Sequence, residues 1–111
     1  MTSPAPRCDF LQFDATDNDD GTGTWEAMAS APAGDPELDR IAREMHAVTA
    51  WVAARAPGPQ GPREEGGEWD ADISASHEDG WTTLTLTLTG PWDWGSGCVS
   101  ELQDPLGPGV A

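Results

Sequence analysis

Lysine and tyrosine are absent from this 111-residue chain, and only five arginines balance twenty aspartates and glutamates. The formal net charge is therefore −15. Nucleic-acid binding needs a stripe of basic side chains that displaces counterions from phosphates, and anionic membrane surfaces also attract basic segments. The composition therefore argues against direct nucleic-acid binding and against membrane binding. It predicts a protein whose electrostatic field attracts basic partners.

Cysteine is scarce, and its placement argues against a disulfide scaffold or a metal site. Cys8 and Cys98 stand in the two flanks of the chain, and neither has a second cysteine or a histidine at ligand spacing. No basic region followed by an apolar run opens the chain, and no stretch approaches the ~20 apolar residues that span a bilayer. We therefore expect a cytoplasmic protein.

Catalytic signatures are missing as well. The sequence contains no G-x-S-x-G motif, no P-loop and no dinucleotide-binding glycine pattern. His46 and His77 have no partner at a spacing typical of metal or triad chemistry. Glu64, Glu65 and Glu68 lie in a glycine-rich and proline-rich loop, which is not expected to supply the buried setting that acid–base catalysis needs. We expect that the protein is not an enzyme and that it needs no cofactor.

The length corresponds to one domain, residues 1–111. Proline is frequent at both ends of the chain, and glycine accompanies it at the C-terminal end. This composition predicts flexible tails over residues 1–8 and 104–111.

One amphipathic helix is predicted between residues 35 and 56. Asp35 is a good N-cap, Pro36 suits the first helical position, and Pro57-Gly58 ends the run. Apolar residues recur every three or four positions and form a single stripe, made of Leu38, Ile41, Met45, Val48 and Val52.

Two hairpins flank this helix. The first is predicted from the strand-like segments 10–14 and 22–29, separated by an aspartate-rich turn. The second joins 68–76 to 81–89 through Asp79-Gly80, a strong two-residue turn signal. Folding at that turn pairs apolar residues with apolar residues, namely Ala75 with Leu84, Ile73 with Leu86, and Ala71 with Leu88. The opposite face then pairs Ser76, Ser74, Asp72 and Asp70 with Thr83, Thr85, Thr87 and Thr89.

The predicted fold class is therefore α+β. Two β-hairpins form a four-stranded antiparallel sheet in the order ββαββ, with the one amphipathic helix packed on the apolar face. After Gly90 we expect at most a single helical turn through Cys98, Val99 and Leu102.

Three of the six tryptophans are candidate partner-binding residues. Trp25 and Trp69 are expected in the core, and Trp51 at the border of the helix contact. Tryptophan beside acid is typical of protein-binding hot spots. The candidate partner-binding residues are Trp81, Trp92, Asp93, Trp94, Asp70 and Asp72. For Trp92 and Trp94 the alternative is that both close the open end of the core.

The function that we favour from the sequence is a small acidic binding protein that docks a basic protein. The net charge is −5 for residues 1–34, −1 for residues 35–56 and −9 for residues 57–111, so the hairpins rather than the helix carry it. A narrower version is an inhibitor that mimics nucleic acid.

The alternative is a small-ligand or cation-binding domain that uses the Asp14–Asp20 turn or a pocket near Trp92. As an EF-hand loop that turn has Thr16 at the first ligand position and Ala27 at the twelfth, so we assign no metal ligands.

Overall fold

The computed structural model describes residues 5, 6, 8–61 and 63–103. Four strands and two helices follow one another as β1 (Phe13–Asp17), β2 (Thr22–Pro32), α1 (Pro36–Ala53), β3 (Asp70–Glu78), β4 (Trp81–Pro91) and α2 (Trp92–Gln103), with a 3₁₀ turn at Arg63–Glu65. The predicted tails fall largely outside the described residues. Within the described residues, neither helix is long and apolar enough to cross a membrane.

All four strands form one antiparallel sheet with the order β1-β2-β4-β3. The predicted α+β class and the ββαββ element order are confirmed. So is the register of the second hairpin, where Ile73 lies opposite Leu86 and Asp72 opposite Thr87. Asp79 and Gly80 have φ values of 52° and 80°, which is the left-handed geometry of a type I′ turn, and this turn favours Asp-Gly.

Helix α1 begins where its sequence signals place it. The side chain of Asp35 accepts a hydrogen bond from the backbone N–H of Glu37 at 2.8 Å, and Pro36 opens the helix. The apolar stripe faces the sheet and buries Ile41, Met45, Val48 and Val52. These side chains pack against one face of the sheet, which presents Trp25, Ala27, Leu86 and Leu88 to the core.

Helix α2 differs from the expected single turn, since it runs for 12 residues. Glycines at positions 95 and 97 lower its intrinsic helix propensity and conceal it in the sequence. Packing compensates, because Gly95 lies directly against the Trp25 ring and a side chain at this position would collide with the indole. The helix therefore forms on the same face of the sheet as α1, where Cys98 and Leu102 join the core.

Strand β1 begins three residues later than predicted because a buried glutamate binds the segment before it. The two carboxylate oxygens of Glu44, on α1, accept hydrogen bonds from the backbone N–H groups of Asp9, Phe10 and Leu11 at 2.7, 3.0 and 2.9 Å. Backbone donors bound in this way are not free to pair with β2. Charge-assisted hydrogen bonds of this kind are among the stronger ones, and they hold Leu11 in the core.

Two substitutions on neighbouring positions of β4 test the two faces. Leu86→Asp puts a charge at a site that is 0% exposed, and we expect it to abolish the cooperative thermal transition, since the cost rivals the whole stability of a small domain. Thr85→Lys points away from the core and is expected to change the free energy of unfolding by no more than about 0.5 kcal/mol. Circular dichroism melts of both variants decide the matter. Equal tolerance of the two changes would contradict this assignment of faces.

Candidate functional site

Both helices cover the same face of the sheet, so the other face carries neither of them. We call this second face the open face. Strand pairing places its members side by side, one row from each strand. The rows are Asp14 and Thr16 on β1; Thr24, Glu26, Met28 and Ser30 on β2; Trp81, Thr83, Thr85, Thr87 and Thr89 on β4; and Asp70, Asp72, Ser74, Ser76 and Glu78 on β3.

Two large apolar side chains stand on the open face among hydroxyl groups. Met28 is 57% exposed and Trp81 is 52% exposed. Met28 lies opposite Thr85, and Trp81 lies opposite Pro32 and Glu78. Exposed tryptophan and methionine supply large, adaptable contact area for a protein partner. The sequence-predicted candidate Trp81 is therefore accessible.

A row of carboxylates crosses the open face beside Met28. Asp14 lies directly opposite Glu26, and the same row continues through Thr87 to Asp72. All three acidic residues of the row are exposed. None of them has an ion-pair partner among the described residues. Like charges directly opposite one another in a sheet cost stability, and a cationic side chain placed over the row would relieve that cost.

Positive charge lies on the other side of the molecule. The arginine side chains that the structure describes are Arg40, Arg43 and Arg55, which belong to α1 or follow it. The guanidinium of Arg55 lies 4.2 Å from the Trp51 ring centroid and 3.4 Å from a carboxylate oxygen of Glu101. Among the described side chains the open face thus carries only negative charge, and this charge is separated from the arginines by the thickness of the sheet.

The candidate residues Trp92, Asp93 and Trp94 lie away from the open face, in the first turn of α2. Trp92 stacks on Trp25 with ring centroids 5.6 Å apart, and Trp94 meets the same ring edge-on at 6.4 Å. Trp94 also lies 5.7 Å from Trp69. Both candidates are half-buried, and only Asp93 is exposed. The strand ends at Pro91 and a helix begins, so both indoles reach the core, as the alternative interpretation of this pair described.

Of the acidic candidates, Asp72 is exposed and Asp70 is partly engaged. One oxygen of Asp70 accepts hydrogen bonds from the side-chain amide of Gln60 at 3.2 Å and from the backbone N–H of Ala71 at 2.8 Å. The structure therefore places Trp81, Asp70 and Asp72 on the same face of the sheet, with Trp81 at the turn end of the second hairpin and the two aspartates toward its other end. The Trp92–Trp94 segment lies elsewhere.

The aspartate-rich turn uses its carboxylates to shape its own backbone. Asp17 accepts from the N–H of Asp19 at 2.8 Å, and Asp20 accepts from the N–H of Thr22 at 3.0 Å. No group of three or more metal-ligating side chains is gathered among the residues that the structure describes. The turn does approach α2, and the two border an open cleft of about 450 Å³ lined by Asp17, Asp19, Gly21, Pro91, Trp92 and Asp93.

Neither thiol is activated as a nucleophile. Both cysteines are free. Burial, together with the nearby carboxylates of Glu44 and Asp9, raises the pKa of Cys8 to about 11. Burial also raises the pKa of Cys98, and the charge of Arg55 offsets part of this rise. The thiolate is the reactive form, so both groups are poor nucleophiles at neutral pH.

Sequence reasoning missed Met28, Glu26 and Asp14 as members of the site. The alternation of side chains along a strand could have identified Met28, since Trp25 and Met28 are three positions apart and therefore point to opposite faces. The acidic row had no such signal, because it forms across strands. Comparison with protein-family models, with curated proteins and with solved structures found no significant match in any of the three.

The repulsion between Asp14 and Glu26 leads to a stability prediction. Glu26→Gln keeps the size and polarity of the side chain and removes one charge of the opposed pair, so we expect the free energy of unfolding to rise by about 0.2–1 kcal/mol. Urea titration at low salt measures it. Asp39→Asn, an exposed acid on α1, serves as the charge-matched control. A loss of stability in Glu26→Gln, or an equal gain in the control, would contradict the interpretation.

Cys8 provides a pH-dependent prediction. At pH 8 a pKa of about 11, in place of the usual 9.0, reduces the thiolate fraction about 100-fold. A thiolate of higher pKa is intrinsically more nucleophilic, which offsets part of this loss. We therefore expect iodoacetamide to modify Cys8 in the folded chain at least about tenfold more slowly than in a peptide of residues 5–11, as measured by mass spectrometry. Because the pKa of Cys8 is higher in the folded chain than in the unfolded one, the contribution of this buried thiol to the free energy of unfolding is intact below pH 9. That contribution declines as the pH rises toward 11. Equal rates in protein and peptide would contradict the burial of this thiol.

Proposed function

We propose that this chain is an acidic binding protein that docks a basic protein on its open face. The observation that supports this most directly is the composition of that face. It combines Met28 and Trp81, the two most exposed large apolar side chains that the structure describes, with carboxylates that have no described cationic partner. Aromatic anchors supply the contact area, and the charges select basic partners and accelerate encounter.

The two kinds of residue have different roles in this proposal. Trp81 is the anchor, since truncation of a hot-spot tryptophan typically costs about 2 kcal/mol or more, which is about thirtyfold in affinity. Glu26, Asp72 and Asp14 steer the partner and set its orientation. Exposed charges at the rim of an interface act mainly on the association rate and on its dependence on salt. We place this encounter in the cytoplasm, the compartment that the sequence favours.

The test is affinity capture on immobilised full-length protein, eluted with a salt gradient and compared among variants. We expect a basic protein from a lysate of the source cell to be retained and to leave at moderate salt. Trp81→Ser is expected to weaken retention at least about tenfold. Glu26→Gln is expected to shift elution to lower salt, while Asp39→Asn on the helix side elutes as the unmodified protein does. Polylysine serves as the control for attraction by charge alone.

The outcome decides directly between a specific surface and general acidity. Equal retention by Trp81→Ser and by the unmodified chain would exclude the open face as the docking site. Retention that follows only net charge, with Asp39→Asn as impaired as Glu26→Gln, would reduce the interaction to nonspecific attraction.

Mimicry of nucleic acid is the narrower form of this proposal. It requires that the captured partner itself bind DNA or RNA through the surface that meets the open face. Competition is the test, because a mimic displaces labelled DNA from the partner at concentrations near its own Kd. A partner that binds the labelled DNA and this protein at the same time would contradict mimicry and leave only the broader proposal, an acidic protein that docks a basic protein.

An open cleft supports a second candidate function, small-ligand binding. The space between the aspartate-rich turn and α2, about 450 Å³, falls within the range of small-molecule pockets. It joins the two places that the sequence suggested separately, the acidic turn and Trp92. A ligand at 100 times its Kd raises the free energy of unfolding by about 2.7 kcal/mol. Thermal melts with divalent cations therefore test the cation version, and unchanged melts remove it.

A further inference from the structure

The outer edge of β3, the side that faces away from β4, is a second surface that is free for a partner. The geometry of the Asp79-Gly80 turn determines which residues of β3 point their backbone N–H and C=O groups toward this edge. In a two-residue type I′ hairpin the residues that flank the turn form a hydrogen-bonded pair. Glu78 and Trp81 are that pair, so the even-numbered residues of β3 bond to β4. The odd-numbered residues then point their N–H and C=O groups outward: Ala71, Ile73, Ala75 and His77.

Contacts at the start of β3 agree with this assignment. The outward N–H of Ala71 donates to the carboxylate of Asp70, and the outward carbonyl of Trp69 accepts from the N–H of Gly61 at 2.8 Å. From Ile73 to His77 the outward backbone groups have no hydrogen-bond partner among the described residues. This stretch contains neither proline nor a bulge, two of the devices that block an edge strand, and its flanking charges Asp72 and Glu78 are both negative.

The opposite edge of the sheet, formed by β1, offers fewer free backbone groups to a partner. Strand β1 has only 5 residues. The side-chain amide of Gln103, on α2, accepts from the N–H of Phe13 at 3.0 Å and donates to the carbonyl of Leu11 at 3.2 Å. A side chain thus occupies the entry to the β1 edge, while most of the 9-residue β3 edge remains open.

Charge identifies the occupant. Asp72 and Glu78 lie on the open-face side of β3, and both are exposed. A second copy of β3, paired antiparallel about Ala75, would place Asp72 of each copy opposite Glu78 of the other, and like charges across a strand pair are destabilising. A segment with lysine or arginine opposite Asp72 and Glu78 would instead form attractive charge pairs, which stabilise strand pairing where a second copy of β3 would destabilise it.

The small area of the open face also favours a contact at the outer edge of β3. Strand spacing of ~4.8 Å and a rise of ~3.3 Å per residue make the open face roughly 14 Å by 30 Å, or about 400 Å². A standard interface buries about 800 Å² on each partner. Docking on the open face therefore gains from an extension across its edge, and β3 is the edge that is available.

We propose that the outer edge of β3 binds an extended, basic segment of the partner as a fifth strand of the sheet. This inference rests on the proposed function and names the form of its partner. In the antiparallel orientation the residues opposite Asp72 and Glu78 are basic and six positions apart. Those opposite Ile73 and Ala75 are apolar, because Ile73 is half-buried at the margin of the core. Main-chain hydrogen bonds supply affinity, and the alternating side chains supply specificity.

A peptide with this pattern is the probe. The acetylated and amidated heptapeptide Lys-Thr-Thr-Val-Thr-Val-Lys is titrated into the full chain at low salt, and amide hydrogen exchange is followed by NMR. We expect exchange at the amides of Ile73, Ala75 and His77 to slow at least about tenfold on saturation. The amides of Ser74 and Ser76 already bond to β4, so they serve as internal controls. The same peptide with glutamate in place of lysine is expected not to bind.

Two modifications test the backbone contacts directly. N-methylation of the second, fourth and sixth residues of the peptide removes the donors that face β3, and we expect it to weaken binding at least about tenfold. Methylation of the third and fifth residues removes donors that face away and is expected to weaken binding much less. In the protein, Ala75→Pro deletes an outward N–H without breaking the β3–β4 ladder, so the sheet is expected to persist while peptide binding is lost.

The outcomes separate this inference from the proposed function. Peptide binding that depends on Trp81 but leaves the outer amides unprotected overturns strand addition and leaves docking on the open face intact. Absence of peptide binding also overturns strand addition, and the capture experiment then judges the proposed function alone. Protection of these amides without peptide, growing with protein concentration, would show a second copy on the edge and overturn the basic segment.

Discussion

The pairing of β2 with β4 is the constraint on which the rest of the structure depends. Eleven residues of each strand lie opposite one another, from Thr22 and Pro91 to Pro32 and Trp81. This ladder joins the two hairpins on either side of α1 into one sheet. It also places Trp25 beside Leu88 on the core face, where α2 packs on the indole. The cost of closing the long intervening loop grows only slowly with its length, so the many contacts of the central ladder offset it.

The same pairing creates the surface to which we assign a function. With Trp25 directed inward, Glu26 and Met28 must point outward, because side chains alternate along a strand. Both helices occupy the core face, so this outward set is left without a cover. Asp14 and Asp72 then reach the same row as Glu26 from two other strands. The molecule keeps two like charges, Asp14 and Glu26, at directly opposed positions there, and local costs of this kind are expected mainly at functional sites.

Most of the local architecture was predictable from the sequence. The alternation of Ile73 and Leu86 with serine and threonine, together with Asp79-Gly80, specified the hairpin register, since a slip by one residue would turn every apolar side chain to the wrong face. The cap at Asp35 and the apolar stripe specified α1. Helix α2 was not predictable in this way. Its glycines are poor helix formers, and Gly95 is favoured at its site only because Trp25, far earlier in the chain, needs the space.

The candidate functional residues, and the buried contacts that position the chain around them, also differ in whether local sequence patterns could predict them. Local alternation was sufficient to place Trp81, Asp70 and Asp72 on the polar side of the second hairpin. It did not reveal Glu44, whose carboxylate binds three backbone N–H groups more than thirty positions away. It also left the positions of Trp92 and Trp94 open, because these depend on where the strand ends and the helix begins.

By itself the sequence determined the negative charge, the helix α1, the second hairpin and the face of that hairpin on which each side chain lies. These properties depend on composition and on periodicity within a single helix or hairpin. Only the tertiary structure decided the strand order, and with it the acidic row and the free outer edge of β3. Those features come from pairing between segments far apart in the chain, and the energy of such pairing is not written in the periodicity of either segment alone.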